Sequence, residues 1–297
     1  MPRSDHPLLP VLAAIAAIGL LSWMDAFMKA AALAVGAYSA LLLRAPIGFL
    51  IAAPAWRLAG GRWPAPPVLR IHLLRGVVVA AMAFLFFFSL TLLPLAQAIA
   101  ISFIAPLIAL FLASIMLGER IERRAIVGAL LGLAGVVVIL AGKLWSEGTG
   151  GGAPLGIAAV LASALLYAWN LVLQRQQALV AKPLEVAAFQ NAITFLVLAG
   201  FAPWFLHWPQ GGEWRDIAVS AVLSGSAALL FTWGYARAET QRLAPLEYTG
   251  FLWAALFGWW FFAEAVTGAT VAGTVLIVAG CWIATRGRPP EPEQAAL

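Results

Sequence analysis

Apolar residues fill ten long stretches of the chain, and short polar connections separate these stretches. Each stretch has about the 20 residues that an α-helix needs to cross a hydrocarbon core of about 30 Å. The pattern predicts an all-α polytopic membrane protein with ten transmembrane helices. The predicted spans cover residues 8–31, 35–56, 69–91, 95–117, 124–142, 154–177, 183–205, 215–236, 243–263 and 266–285.

Polar positions at both ends of the chain refine this picture. The first stretch contains Asp25 and Lys29 and lacks a small-residue cleavage site, so we interpret it as a span rather than a signal peptide. The last residues, RGRPPEPEQAAL, are polar and proline-rich. This composition predicts a disordered cytoplasmic tail over residues 286–297.

Composition supports a membrane protein and excludes several other classes. The chain has 297 residues, of which 63% are hydrophobic and 10% charged, unlike a soluble globular or disordered chain. The single cysteine, Cys281, excludes an intrachain disulfide and a cysteine-based metal cluster. We expect no metal and no cofactor. The net charge of +5 does not indicate nucleic acid, because the basic residues lie between apolar stretches; the expected partners are the bilayer and a small-molecule substrate.

The distribution of Lys and Arg predicts the orientation. Cytoplasmic loops are enriched in these residues. With the N-terminus in the cytoplasm, 14 of the 18 basic residues fall on that side: Arg3, Arg57, Arg62, Arg70, Arg75, Arg120, Arg123, Arg124, Arg175, Lys182, Arg237, Arg242, Arg286 and Arg288. Lys29, Lys143 and Arg215 fall outside, and Arg44 lies within a span. We therefore expect an inner-membrane protein with both termini in the cytoplasm.

The sequence also repeats itself at a constant offset of 145 residues. The offset aligns Asp25 with Asn170 and Glu119 with Glu264 without gaps. It also aligns Gly128 with Gly273, and Gly135 with Gly280. The repeat predicts two units, residues 1–148 and 149–285, with five spans in each.

An odd number of spans per unit requires the second unit to cross the membrane in the opposite direction. The basic residues agree, because Arg120, Arg123 and Arg124 align with Ala265, Gly268 and Ala269. Inverted repeats of this kind are typical of secondary transporters, whose substrate site lies near the bilayer midplane between the repeats. The alternative is a duplicated membrane bundle without a transport role.

Charged residues inside spans are the first candidates for a site, because each costs about 2.5–3.5 kcal/mol to insert. Lys29 lies near a span end and could extend to the interface. Asp25 could pair with Lys29 one helical turn away, or with Arg44 on the next span. Glu247 has two interpretations. It either stabilises a helix N-terminus, or it contacts the ligand or forms part of a gate.

Neutral polar and aromatic residues complete the candidate substrate site. Asn170 is the repeat partner of Asp25, and Gln174 lies one turn later. Aromatic side chains beside a carboxylate and an amide suit a zwitterion with an apolar side chain, or a cation. The candidate substrate-binding residues are Trp23, Asp25, Trp169, Asn170, Gln174, Trp233, Glu247, Tyr248 and Trp253. We interpret the repeated glycines as packing faces, within the chain or in a dimer.

Motifs for intramembrane catalysis are missing from the sequence. The histidines, His6, His72 and His207, all lie at or near span ends, and Ser226 has no evident partner. No zinc-protease or phosphate-loop motif is present. An enzyme is therefore an unfavoured alternative, and we expect no catalytic residues.

The sequence resembles the EamA-type transporters of the drug/metabolite transporter superfamily. The resemblance rests on SLTLLPLAQAIAISFIAPLIALFLASIMLGER (89–120) and on RLAPLEYTGFLWAALFGWWFFAE (242–264). Phe251 stands where Pro106 stands in the first half, and Ala263 stands where Gly118 stands. The resemblance implies a ten-helix bundle around a central cavity, and the deep aromatic residues are similar to those of the aromatic amino-acid exporter branch.

Together these observations predict an exporter of small metabolites that works by alternating access, best matched to amino acids with aromatic or bulky apolar side chains. Asp25 or Glu247 would accept the ammonium group, and Asn170 or Gln174 would bind the carboxylate. The alternative is an importer of a nucleotide-like cofactor or vitamin, because purines also stack on aromatic walls. Either a monomer or a homodimer is compatible with the sequence.

Overall fold

The computed structural model describes residues 8–105, 107–108, 111–112, 123–147, 152–178, 180–235 and 244–285. Within these ranges every element is a helix. In chain order the elements are α1 (Leu9–Val35), α2 (Ala37–Leu58), α3 (Pro66–Leu90), α4 (Leu95–Ser102), α5 (Arg123–Glu147), α6 (Ala153–Ala178), α7 (Pro183–Ala199), the short α8 (Ala202–Phe205), α9 (Glu213–Tyr235), a 3₁₀-helix (Ala244–Thr249), α10 (Gly250–Phe262) and α11 (Gly268–Thr285).

Glycine and proline set several of the helix boundaries. The chain breaks between α1 and α2 at Gly36, whose φ of 83° is rare for other residues. The helices α3 and α7 begin at Pro66 and Pro183. Proline suits the first turn because its missing N–H would have no partner within the helix there.

Five described helices are long and apolar enough to cross a membrane: Leu9–Val35, Ala37–Leu58, Pro66–Leu90, Ala153–Gln174 and Glu213–Phe231. They confirm the first, second, third, sixth and eighth predicted spans as apolar helices of membrane-spanning length. Shorter apolar helices lie within the fifth, seventh and tenth predicted spans. The full count of ten spans stays a prediction.

The fourth predicted span is interrupted, and the ninth begins as a 3₁₀-helix at the equivalent position. The helix α4 ends at Ser102, and a turn at Phe103 and Ile104 follows it. In the second half the 3₁₀-helix gives way to α10 at Gly250. The offset of 145 places the Phe103 turn on Tyr248, and the two rings are in edge-to-face contact, with centroids 5.3 Å apart. Pro106, which lies outside the described residues, has no N–H for the Ser102 carbonyl, which accounts for the interruption of the fourth span.

Helix packing pairs the two halves with each other. The most extensive contacts are those of α5 with α11, α1 with α9, α3 with α6, and α2 with α7. Under the 145-residue offset α5 is equivalent to α11, and α2 to α7. The contact of α1 with α9 becomes the contact of α6 with α3. The packing is thus preserved when the two halves are exchanged.

Equivalent helices run antiparallel where they meet. Tyr38 near the start of α2 donates a hydrogen bond to the carbonyl of Leu198 near the end of α7. Trp56 near the end of α2 contacts Phe189 near the start of α7, with ring centroids 5.5 Å apart. These two contacts fix the relative direction of the two helices.

Glycines allow the backbones of α5 and α11 to come into direct contact. A Cβ placed on Gly135 would lie 2.5 Å from the carbonyl oxygen of Gly273, and one placed on Gly280 would lie 2.5 Å from that of Gly128. Each contact becomes the other when the halves are exchanged. These glycines therefore form a packing seam within the chain, which favours the first of the two interpretations made from the sequence.

At the end of α10, Ala263 stands where the first half has Gly118. This residue adopts a left-handed conformation with φ of 53°, which glycine favours. The Glu264 N–H bonds the Gly258 carbonyl at 3.1 Å and closes the helix. The aligned residue Gly118 lies outside the described residues, as do Glu119, Arg120 and the tail 286–297.

Candidate functional site

Arg75 forms the centre of a polar cluster between α3 and α6. Its Nε donates to Oδ1 of Asn170 at 2.9 Å, and its Nη1 donates to Oε1 of Gln177. Val78 is the middle residue of α3, so Arg75 lies about 4.5 Å along the axis from the helix centre. Arg75, which the charge distribution counts on the cytoplasmic side, is thus a half-buried charge inside a long apolar helix.

The cluster continues to α7 through a histidine. Gln177 Nε2 lies 2.7 Å from Nδ1 of His72, and His72 Nε2 lies 3.1 Å from Oε1 of Glu185. The Gln177 oxygen already accepts from Arg75, so its amide nitrogen donates to Nδ1. The His72 proton therefore resides on Nε2 and bonds Glu185. The His72 ring also stacks on Phe189, with centroids 4.8 Å apart.

Glu247 reaches the same region from the second half. It lies in the 3₁₀-helix with its side chain exposed. Tyr167 of α6 lies within electrostatic range of both Glu247 and Arg75. Ser22 of α1 donates to the carbonyl of Gly250 at 3.4 Å, just after this 3₁₀-helix. The 3₁₀-helix before α10 therefore lies beside α1, and its Glu247 lies within electrostatic range of Tyr167 on α6.

Asp25 lies within electrostatic range of Arg44, whereas the ammonium group of Lys29 pairs with Glu264. The charges of Asp25 on α1 and Arg44 on α2 act on each other. Among the described residues, the buried Nε of Arg44 has no hydrogen-bond partner. Of the two pairings considered from the sequence, the structure favours the one between neighbouring helices.

Lys29 is wrongly predicted to extend to the membrane interface. Its side chain is only 5% exposed. The ammonium group bonds the Leu93 carbonyl at 2.7 Å and pairs with Oε1 of Glu264. The second oxygen of Glu264 accepts the backbone N–H of Leu95 at 2.7 Å, at the start of α4. This lysine–glutamate pair, which we call the α1–α10 ion pair, ties three helices together.

Three of the candidate aromatic residues belong to one region at the contact of α1 and α10. The ring of Phe257 lies nearly parallel to Trp23 and to Trp253, at centroid distances of 5.9 and 6.0 Å. The Trp253 ring lies over Gly19, where a Cβ would be 3.2 Å from it. Tyr248 lies one turn before Trp253 and contacts Phe103. The structure thus assembles an aromatic wall, defined as Trp23, Phe257 and Trp253.

The remaining candidates lie on α6 and α9. Trp169 is half-buried next to Asn170, and Gln174 is exposed one turn later. Trp233 lies near the end of α9 and is 36% exposed. No described contact joins Trp169 or Gln174 to the aromatic wall. Their role in a site stays a prediction.

A cavity of about 370 Å³ lies elsewhere, between α3 and the ends of α7 and α8. Its walls are almost entirely apolar and include Val77, Phe84, Leu198 and Phe201. None of the nine candidate residues lines it. Without polar groups to orient a charged molecule, this cavity does not match the predicted substrate site.

Sequence reasoning missed Arg75, Tyr167 and Gln177 as site residues. One signal was available for Arg75, because it follows the start of the predicted third span by six residues. A charged residue inside a span is costly to insert and is therefore a candidate for a site. The contacts among the three come from helices far apart in sequence, so no local pattern indicates them.

Comparisons with known proteins agree with the helical architecture. The sequence matches the EamA-like transporter family twice, over residues 8–141 and 154–286. A solved crystal structure, 27% identical in sequence, aligns with 96% of this chain and 97% of its own, with a TM-score of 0.64.

Three curated relatives carry transport names. The aromatic amino acid exporter YddG of Ancylobacter novellus is 32% identical over 68% of this chain and 71% of its own length. The pseudopaline exporter CntI of Pseudomonas aeruginosa is 27% identical over 91% of this chain and 94% of its own length. A riboflavin transporter of Rhizobium johnstonii is 26% identical over 70% and 67%.

Proposed function

Because the chain belongs to the EamA-like transporter family, a group of membrane transporters rather than enzymes, we propose that it exports amino acids with aromatic or bulky apolar side chains. The observation that carries this proposal is the 32% identity to an aromatic amino acid exporter. The aromatic wall supports it, because Trp23 and Trp253 present flat apolar surfaces at the start of α10, just after the 3₁₀-helix that carries Glu247.

The proposed mechanism is alternating access by two inverted repeats, residues 1–148 and 149–285. The antiparallel packing of α2 on α7, and of α5 on α11, supports this proposal, because a two-fold axis in the membrane plane makes equivalent helices antiparallel. The turn at Phe103 and the 3₁₀-helix around Tyr248 support a site near that axis, because irregular helical segments commonly form binding sites in transporters.

The proposed location is the inner membrane with both termini in the cytoplasm. The excess of Arg and Lys on that side of the predicted spans supports this orientation. The substrate would contact some or all of the nine candidate residues, and the protein would act as a monomer or a homodimer. Of these, Asn170 accepts a hydrogen bond from Arg75, and Asp25 lies within electrostatic range of Arg44.

A second candidate function is import of a nucleotide-like cofactor or vitamin. The riboflavin transporter among the relatives favours it, since a flavin ring would also stack on an aromatic wall. Direction separates the two candidates. In a host cell, export lowers sensitivity to a toxic aromatic amino-acid analogue, whereas import raises sensitivity to a toxic flavin analogue.

Reconstitution tests the proposal directly. Proteoliposomes loaded with labelled L-phenylalanine or L-tryptophan should release the label faster than protein-free vesicles, and unlabelled aromatic amino acids should compete. Labelled riboflavin in parallel vesicles tests the second candidate. Recovery of a chemically altered compound would indicate an enzyme instead. Faster release of riboflavin alone would contradict amino-acid export.

We expect Asp25→Asn to alter uphill transport if Asp25 carries the coupling proton. The substitution removes the titrating group and leaves Arg44 without its counter-charge. The measurement is accumulation of labelled phenylalanine driven by a pH gradient, compared with exchange at equal pH. Loss of accumulation with retained exchange supports coupling through Asp25. Unchanged accumulation excludes Asp25 as the proton carrier.

A further inference from the structure

We propose that Arg75 and Glu247 bind the two charged ends of an amino-acid substrate, with Arg75 holding the carboxylate and Glu247 the ammonium group. This inference rests on the proposed function and assigns the polar half of that site. In this assignment Arg75, rather than Asn170 or Gln174 as considered from the sequence, donates hydrogen bonds to the substrate carboxylate.

Arg75 is held in position but is not saturated by its neighbours. Asn170 and Gln177 accept from Nε and Nη1. A guanidinium carries more N–H donors than these two bonds use, and among the described residues no acceptor is bound to Nη2. The planar guanidinium matches a carboxylate, to which it donates parallel hydrogen bonds. Its remaining donors are therefore available to a carboxylate.

The amides that hold Arg75 are themselves fixed. Gln177 is 2% exposed and is bonded on its other side to His72, which Glu185 orients in turn. Asn170 is 3% exposed. Support of this kind keeps a binding group in one orientation and lowers the entropy lost when a ligand binds. Neither amide neutralises the guanidinium, so the local positive charge persists.

Glu247 supplies the complementary charge in the region of Tyr167. Its side chain is exposed, so a solute can reach it, and Tyr167 is within electrostatic range of both charged groups. A guanidinium and a carboxylate near one tyrosine present a positive and a negative pole with little net charge. A zwitterionic amino acid has the same pair of poles at short separation, and it is also neutral overall.

The other buried charges are less suited to this role. Asp25 and Arg44 act on each other across neighbouring helices. Lys29 and Glu264 are paired, and each makes a further bond to backbone. Arg75 instead bonds two neutral amides, which leaves its charge available to an anionic ligand.

Competition by substrate fragments tests the proposal. In proteoliposomes, unlabelled L-phenylalanine, 2-phenylethylamine (which lacks the carboxylate) and 3-phenylpropionate (which lacks the ammonium) compete with labelled phenylalanine. For Arg75→Gln, we expect the inhibition constant of phenylalanine to rise about 10- to 100-fold, the range for lost hydrogen bonds between charged groups. That of 2-phenylethylamine should stay level or fall. For Glu247→Gln, the inhibition constant of phenylalanine should rise by a similar factor, while that of 3-phenylpropionate should not rise.

Controls separate binding from structural effects. Arg70→Met removes an exposed arginine from the same helix and should leave all three constants unchanged. Arg75→Lys keeps the positive charge but loses the planar guanidinium. Its inhibition constant for phenylalanine should lie between those of wild type and Arg75→Gln. An equal loss for all three compounds in folded Arg75 variants would overturn the proposal. If no Arg75 variant folds, the Glu247→Gln measurements decide. Equal increases in the inhibition constants of phenylalanine and 3-phenylpropionate would then contradict the proposal.

Failure of the proposed function gives a different result. In that case wild-type protein does not transport labelled phenylalanine at all. If wild type transports phenylalanine but the variants keep its preference over the two fragments, amino-acid export stands and the assignment of Arg75 and Glu247 is wrong.

Discussion

Replacing Lys29 by methionine is expected to lower the free energy of unfolding by about 3–5 kcal/mol, the range for a buried ion pair that loses one partner. The Lys29 side chain is 5% exposed, and that of Glu264 is 17% exposed. Without the ammonium group, the carboxylate of Glu264 keeps its bond to the Leu95 N–H but loses its counter-charge. The Leu93 carbonyl loses its lysine donor as well. Denaturant unfolding in detergent micelles, followed by tryptophan fluorescence, measures the change.

Two further variants show whether charge is the cause. Adding Glu264→Gln to Lys29→Met removes the unpaired carboxylate, so the double variant should be more stable than Lys29→Met alone. Arg215→Met breaks an ion pair with Asp216 in which the arginine side chain is 74% exposed, and should cost less than about 1 kcal/mol. Equal losses for Lys29→Met and Arg215→Met would contradict a buried α1–α10 ion pair.

Gly273→Ala is expected to destabilise the protein by about 1–3 kcal/mol, the range for overpacking in a close-packed interior. The new Cβ would lie 2.5 Å from the Gly135 carbonyl oxygen and 2.4 Å from Cγ1 of Ile139. The backbone oxygen cannot turn aside as a side chain can, so α5 and α11 must separate. Lower yield of folded protein and a lower unfolding temperature in detergent are the expected observations.

Gly225→Ala is the matched control, because Gly225 also lies inside a helix. No described atom is within 4 Å of a Cβ placed there. Alanine in a helix interior is favoured over glycine by about 0.5–1 kcal/mol, so this variant should be neutral or more stable. If both alanine variants shift stability in the same direction, the seam is not packed at backbone distance.

The spans were predictable because a bilayer requires a minimum apolar length, which is visible in one dimension. The glycine seam was partly predictable, since the 145-residue offset aligns Gly128 with Gly273 and Gly135 with Gly280. The offset does not say which glycines touch. Their contacts join Gly135 to Gly273 and Gly128 to Gly280, a consequence of antiparallel packing between helices.

The candidate site was less predictable because its contacts cross between helices. The expectation for Lys29 considered a single helix, where a lysine near the end extends to the interface. Its partner Glu264 lies 235 residues away and reaches it because α10 ends beside α1. Arg75 was counted only as a basic residue of the cytoplasmic side, and the two amides that hold it come from α6. The aromatic wall was partly predicted, since Trp23 and Trp253 meet through Phe257.

The glycine seam also limits how the two halves can move. Side chains that interlock can be rearranged as two helices slide, and such sliding produces shear motion. Between α5 and α11, Gly135 and Gly273 meet at backbone distance, and the side chains of Ile139 and Ile277 pack directly beside them. This leaves little room for the two helices to slide along each other. Under the proposed alternating access, the seam would serve as a pivot, so that opening of the bundle on one face would close it on the other.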